Sequence, residues 1–491
     1  MSGSISFNAV PGSIRVPGTY IEIDNSRAAQ GLSTWPARVV LISQRRAGQG
    51  SVPAGVPARV TSAQEARNFF GRGSILTGMF EAWFRANPPT EVWGVALADE
   101  GAAVAAAWTI TFTGTTTAAG EIVLYVGGRR VVAPIPTNTA QNAQATLLRN
   151  AILAQPDLPV TAAASAQVLT LTAINSGSSM NALDVRLNLQ PGEALPAGSS
   201  AVIAQSVSGA TNPNIAIALD ALGETWFTDI VTSLSDDTNL AALEARLASN
   251  FGPLVMRDTH GWIGRTGTFG DLTTFGASRN SPHVTTIASR SMPTPPWELA
   301  ATLAAVAVPA LATDPARPVQ TLALPGIVPP VLGARFTWAE RDQLLRVGLA
   351  TWRANDAGQV TIERAVTMYR LAPSGAEDPS YLDVETLKTV AFLRWDLRQL
   401  IATRFPRHKL ADDGTKFARG QDVVTPGTIR AEIVARFAQW EAAGLVEGVE
   451  QFKRDLIVTR NPNDPNRVDA LLPPDLVNQF RVMAAQIEFL L

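Results

Sequence analysis

The chain contains no cysteine and only three histidines and four tyrosines in 491 residues. The missing thiols exclude disulfides, thiol catalysis, zinc ribbons and iron–sulfur clusters. They also fit folding in a reducing cytoplasm. Charge is sparse, at 17% of residues, and nearly balanced at a net −2. No whole-chain field therefore points to nucleic acid or to an anionic membrane. The most apolar run, LAATLAAVAVPALA at 299–312, is too short to span a bilayer, carries Pro309, and reads as a buried helix. The opening MSGSISFNAVPGS lacks a basic segment followed by an apolar run, so no secretory signal is expected.

Catalytic and cofactor motifs are equally scarce. The chain has no GxxxxGK[ST] phosphate loop and no GxSxG nucleophile elbow. Gly71-Arg72-Gly73-Ser74-Ile75-Leu76 carries two glycines of a dinucleotide fingerprint, lacks the third, and follows a helical pattern rather than a strand. His260, His283 and His408 have no metal-ligand spacing and read as hydrogen-bonded structural residues. Gly261, Gly264, Gly267 and Gly270 recur every third residue, which reads as a tight loop where glycine alone fits, with a phosphate-cradling nest as the alternative. No catalytic, cofactor-binding or metal-binding residue is assigned, and the chain is expected not to be an enzyme.

What is present is 46% apolar residues, ample for large cores, in an alternating order of elements. RVVLIS at 38–43 and EVWGVALA at 91–98 read as strands; between them lie a helix capped by Ser62 and Glu65 and a second opened by Ser74. Between 107 and 205 only eight residues are charged, and Thr, Ala, Ser and Gly dominate. Alternating strands there, a Gly127-Gly128 hairpin signal and a helix at 139–153 predict a small α+β domain inserted into the first. The α/β order resumes with strands at 226–233 and 283–289, a helix capped by Ser235 and the buried helix at 295–312. Two long helices follow from 383, the second with Pro426 near its start and Gly444 past its end, then a strand at 452–460. The expected fold is α/β overall and multidomain. A terminal arm spans 1–25, and a discontinuous α/β body spans 26–106 and 206–380. The inserted domain is 107–205, a C-terminal part of the body 381–460, and a C-terminal arm 461–491.

Both arms carry strand signals. Tyr20, Ile21, Glu22 and Ile23 alternate near the start. At the end, QFRVMAAQIEFLL places Arg481, Met483, Ala485, Ile487, Phe489 and Leu491 on one side. Pro/Gly/Asn-rich chain separates each from the body, and fifteen extended residues reach on the order of 50 Å. Strand addition to another copy of the chain is the expected use, and head-to-tail exchange builds rings or filaments. Arg394, Arg398, Arg404, Arg407 and Lys409 form a local basic run. Solvation explains such a run by itself; the alternative is contact with an acidic protein surface.

LALPGIVPP (322–330), RFTWAERDQLL (335–345), GQVTIERAVTMYR (358–370), DPSYLDVETLKTVAFLR (378–394), FPRHKLADDGT (405–415), VTPGTIRAE (424–432) and LPPDLVNQFRVMAAQIEFLL (472–491) occur in consistent order. With these segments the C-terminal third resembles the tail sheath proteins of contractile-tailed, Mu-like bacteriophages and related phage-tail-like particles. The N-terminal ISFNAVPGSIRVPGTYIEID resembles that family's opening arm. The resemblance implies a structural subunit that polymerises as stacked hexameric rings around a tail tube. Contraction would then drive the tube through the host envelope for genome ejection. It implies arms exchanged between subunits, an outward-facing inserted domain and a tube-facing C-terminal part, with Arg394, Arg398 and Arg404 as possible tube contacts. Implied partners are further copies of the chain, the tube protein, and baseplate and tail terminator proteins, with neither direct nucleic-acid binding nor membrane insertion. The implied location is the virion tail, after assembly in the host cytoplasm. A static filament or shell protein and an α/β hydrolase with a lid domain are the alternatives.

Overall fold

The computed structural model describes residues 32, 35–86, 90–418 and 420–490. The N-terminal strand signal at Tyr20, Ile21, Glu22 and Ile23 lies outside them, as does Leu491. The fold is α/β and multidomain. Contacts divide the described residues into two compact units, a larger one of 35–395 with 476–490 and a smaller one built on Asp396–Asp475.

The larger unit is built on an eight-stranded sheet. Across it run Val360–Arg364, Leu349–Ala354, Val284–Ser289, His260–Thr266, Asp229–Thr232, Arg38–Gln44, Glu91–Leu97 and Pro57–Val60. The six inner strands are parallel and the two outer ones antiparallel. Arg38–Gln44 and Val284–Ser289 are buried along nearly their whole length, as strands covered on both faces must be. One edge is covered: the N–H groups of Thr321 and Leu324 donate to Ile362 and Val360 carbonyls at 2.8 Å, and Ile362 donates back to Leu322 at 2.9 Å. The other edge is only four residues long and opens with Pro57, which has no N–H to offer.

The helix Pro296–Thr313 is long and apolar enough to pass for a membrane span, yet 72% of it is buried inside the protein. It packs on the sheet and on the helix Ile75–Ala86. Gly264 explains how closely it approaches. A Cβ built there would meet the Pro296 carbonyl oxygen at 1.9 Å. Gly261 and Gly264 were expected in a tight loop; they lie instead in the central strand His260–Thr266, where the missing side chains make room for helices.

Residues 107–205 add a four-stranded and a three-stranded antiparallel sheet around the helix Gln141–Leu153. Gly127 and Gly128 turn the hairpin between Gly120–Val126 and Arg129–Ile135 with φ of 57° and 75°, the left-handed pair that two-residue hairpins favour. One hydrophobic cluster runs from Trp108, Ile110 and Phe112 into Phe70, Phe80, Trp83 and Trp297 of the body. An ion network bridges the same two parts. Arg129 reaches Glu298 at 2.7 Å and Glu81 at 3.1 Å, Arg67 reaches Glu81 at 2.7 Å, and Arg72 reaches Asp157 at 2.7 Å. Burial pushes the Glu298 carboxyl up, and Arg129 opposes the shift.

The smaller unit packs Ile433, Phe437 and Trp440 of the helix Pro426–Ala442 around Phe452, whose ring stacks on Phe437 at 3.9 Å. Trp440 Nε1 donates to the buried Asp396 at 2.8 Å. The strand expected over 452–460 is shorter. Val449–Asp455 is a helix, because Phe452 is its buried residue while Lys453 and Arg454 stay in water, and the strand is Ile457–Arg460.

Replacing Gly264 by alanine should lower stability by about 1–3 kcal/mol, the usual cost of overpacking a core. The check is the thermal unfolding midpoint, and an unchanged midpoint would mean that the helix start moves aside without cost.

Candidate functional site

In a parallel α/β sheet, ligands bind outside the carboxyl ends of the strands where strand order reverses. Here that point lies between Arg38–Gln44 and Asp229–Thr232. It is filled by protein. Ser43 and Ser233 hydroxyls meet at 2.6 Å. Gln44 Nε2 donates to Asp99 at 2.6 Å and to the Ser176 carbonyl at 2.5 Å. Asn175 donates to the Arg45 carbonyl at 2.7 Å and accepts the Ile75 N–H at 3.0 Å, occupying the helix N-terminus where an anion would sit. Residues 175–179 of the inserted segment thus plug the crevice.

A second polar cluster lies at the amino ends of the strands. Lys388, nearly buried, donates to the fully buried Asp229 at 2.7 Å and to the Thr228 carbonyl at 3.1 Å. Trp262 Nε1 donates to the same Asp229 oxygen at 2.8 Å. His260 Nε2 lies 2.9 Å from Thr285 Oγ1 and the His260 ring meets Trp262 edge-on. His283 packs on Phe251. Removing one partner of such a buried pair strands a charge, at a cost of about 3–5 kcal/mol. Among the described residues no three His, Asp or Glu side chains are placed to hold a metal ion.

The basic run is divided by the fold. Arg394 is turned inward: it pairs with Asp258, donates to the Phe251 carbonyl at 2.8 Å and stacks over the Phe251 ring at 4.3 Å. The expected role of Arg394 as a surface contact gives way to this internal one. Arg398 is exposed, and Arg404 is exposed beside Glu432 at 3.5 Å.

Within the C-terminal arm, residues 477–490 have no strand partner in the chain among the described residues. Val482, Met483, Ile487, Phe489 and Leu490 are each at least three-quarters exposed, and Ala485 is exposed too. Arg481 is different, with its side chain 12% exposed against Asp383 and Glu385. Elsewhere the antiparallel ribbon of Ile457–Arg460 and Val468–Leu471 stands as a two-stranded sheet. Its paired residues Ile457 and Leu471 are both more than half exposed.

Two family models match, the phage tail sheath protein central domain over residues 208–368 and the phage tail sheath C-terminal domain over 376–490. The Mu-like prophage FluMu tail sheath protein of Haemophilus influenzae is 39% identical over 488 residues, covering 99% of this chain and 100% of that one. The chain belongs to the phage tail sheath family. Among solved structures, a chain of the anti-feeding prophage baseplate in its contracted state has the same fold, with TM-score 0.51, 10% identity and coverage of 98% and 99%. The sheath tail protein of Desulfitobacterium hafniense gives TM-score 0.47 at 11% identity, covering 94% of this chain and 100% of that one.

For a sheath family protein the filled crevice makes sense as structure, since its polar groups fasten the inserted segment to the sheet. Sequence reasoning did not find Lys388–Asp229 or Arg129–Glu298, whose partners lie 159 and 169 residues apart. The available signal was a lysine at position 388 immediately before the largely apolar TVAFL stretch at 389–393.

Burial, with Arg394 adding to it, pushes the His283 imidazole down to about 4, and burial pushes His260 well below its usual range. A histidine depressed in the folded state leaves the unfolded chain with more protons below about 6.5. Stability is therefore full above pH 6.5 and falls as pH drops toward 4, by on the order of 3 kcal/mol for His283. Burial raises Asp258, which titrates in the opposite sense. His283→Gln should lose less unfolding temperature between pH 7 and pH 4.5 than the parent protein, and an equal loss would remove His283 as the cause.

Proposed function

We propose that this subunit polymerises as stacked hexameric rings around a tail tube and that the polymer contracts, driving the tube through the host envelope for genome ejection. The observation that carries this reading, beside the family, is the end of the C-terminal arm, residues 477–490: an apolar segment with strand periodicity and no strand partner in its own chain among the described residues. A strand given to a neighbour satisfies its main-chain groups and buries its side chains together. The ribbon at 457–460 and 468–471 is the natural recipient, because its outer edges pair with no further strand among the described residues and it exposes Ile457 and Leu471. The N-terminal segment at Tyr20–Ile23 is the second exchanged strand.

In this arrangement the inserted domain 107–205 faces outward and residues 381–460 face the tube. The partners are other copies of the chain, the tube protein, and baseplate and terminator proteins. Assembly takes place in the host cytoplasm and the product is the virion tail. No step requires covalent chemistry from this chain.

Deleting residues 482–491, which keeps Arg481 on Asp383 and Glu385, should leave a folded monomer by circular dichroism that forms no tubes under the electron microscope; long tubes from the truncated protein would remove strand exchange from the account. Ile457→Lys should have the same effect without shortening the chain. Arg398→Glu should weaken binding to purified tail tubes severalfold in co-sedimentation carried out well below its unfolding midpoint. Arg394→Glu should instead lower that midpoint, because it breaks the contact with Asp258. Unaltered tube binding by Arg398→Glu would return Arg398 to a solvated surface.

A further inference from the structure

Period-two spacing puts Arg481 on the same strand face as Met483, Ala485, Ile487 and Phe489. The structure separates it from them. Arg481 Nη2 lies 3.1 Å from Asp383 and 3.0 Å from Glu385, and Nη1 donates to Gln320 at 3.2 Å. These acceptors are themselves fixed. Arg364 grips both oxygens of Asp383 at 2.8 Å, and Glu385 accepts the Val319 N–H at 2.9 Å. Two residues earlier, Gln479 donates to the Ala316 carbonyl at 3.4 Å.

The side chains around Arg481 are shielded from solvent. The Glu385 side chain is fully buried, and those of Asp383 and Arg481 are 12% exposed. Pulling the guanidinium out would leave Glu385 as an unpaired buried charge, which is far more costly than breaking a surface pair. Past this point the attachment ends: among the described residues, no hydrogen bond or ion pair joins 482–490 to the body, and Gln486 bonds only Glu488 within the arm.

We propose that Arg481 is the anchor that fixes where the arm leaves its own subunit, so that the segment given to a neighbour is residues 482–491. Ten extended residues reach about 33 Å, which sets the span of the joint. Tension on that segment then passes through Arg481 to Asp383 and Glu385, at the start of the helix Val384–Arg404. Arg481 is a positioning residue, not part of the exchanged strand. This inference rests on the strand-exchange reading above.

The test uses the full chain, whose lack of cysteine makes introduced thiols unique. Arg317→Cys and Asn478→Cys are exposed neighbours of the Ala316–Gln479 contact, and a flexible bismaleimide can join them. The crosslinked protein should form tubes as the uncrosslinked one does; failure only after crosslinking would show that the root must detach and would overturn the anchor. Arg481→Ala alone can unfold the body by stranding Glu385, so Arg481→Ala/Glu385→Gln is the informative variant. It should stay folded, require at least tenfold more protein to form tubes, and recover when crosslinked, while Arg481→Lys retains most assembly. Parental assembly by the double variant, or a loss that the crosslink does not repair, would overturn the anchor. Tube formation by a chain lacking 482–491 is a separate outcome, which removes strand exchange itself.

Discussion

An extended segment presents hydrogen-bonding groups along both edges, and the architecture of this subunit follows from where those groups are satisfied. The main sheet settles the matter internally. One edge is covered by Thr321–Leu324 and the other is cut short at Pro57. Among the described residues, the arm beyond Arg481 does not settle it within the chain, and the Ile457–Leu471 ribbon settles only its inner edges, strand against strand. On the strand-exchange reading, the same constraint that closes the body against unwanted pairing leaves specified places for pairing with another copy. Apolar side chains on both sides of the arm reinforce this, since burying any one of them is worth about 1.5–3 kcal/mol.

Charge is used in a related way. The chain has 40 basic and 42 acidic side chains, and several of the most buried are committed to internal fastening. Lys388 holds Asp229 at the amino end of its strand, Arg129 ties the inserted segment to Glu298, and Arg481 holds the arm's root. Such pairs contribute little net stability over an apolar filling, but they specify geometry, because every alternative arrangement strands a charge. That property suits a subunit whose parts must keep their positions while its outer contacts change.

Much of the fold was legible in local pattern. RVVLIS is a strand because it is a short β-branched run, and Gly127-Gly128 is a hairpin because two consecutive left-handed residues favour glycine. Pro426 and Gly444 bracket their helix for equally local reasons. Ser235 was one residue early: Asp236 is the cap, its carboxylate accepting the Asn239 N–H. The misread features are those set by distant neighbours. Gly264 looks like a loop glycine until Pro296 is placed against it, and Arg394 looks like a surface cation until Asp258, 136 residues away, is brought beside it. For the arm, period-two spacing identified the strand, but only tertiary contact separates Arg481, the held root, from the exposed residues that follow.

On the sheath reading, the division of labour within the subunit is a consequence of what each kind of contact tolerates. A close-packed core with buried ion pairs resists gradual deformation, because small displacements lose packing and strand charges at once. The larger unit, with one hydrophobic cluster running through body and inserted segment, is suited to move as a block. Exposed side-chain contacts between blocks can be exchanged at small cost, as surface ion pairs are worth little individually. A paired strand is different again, since its ladder of main-chain bonds must break together to release it. Motion in a polymer of such subunits is then confined to side-chain interfaces and to the chain just outside each anchored strand. The position of Arg481 decides how much chain that is.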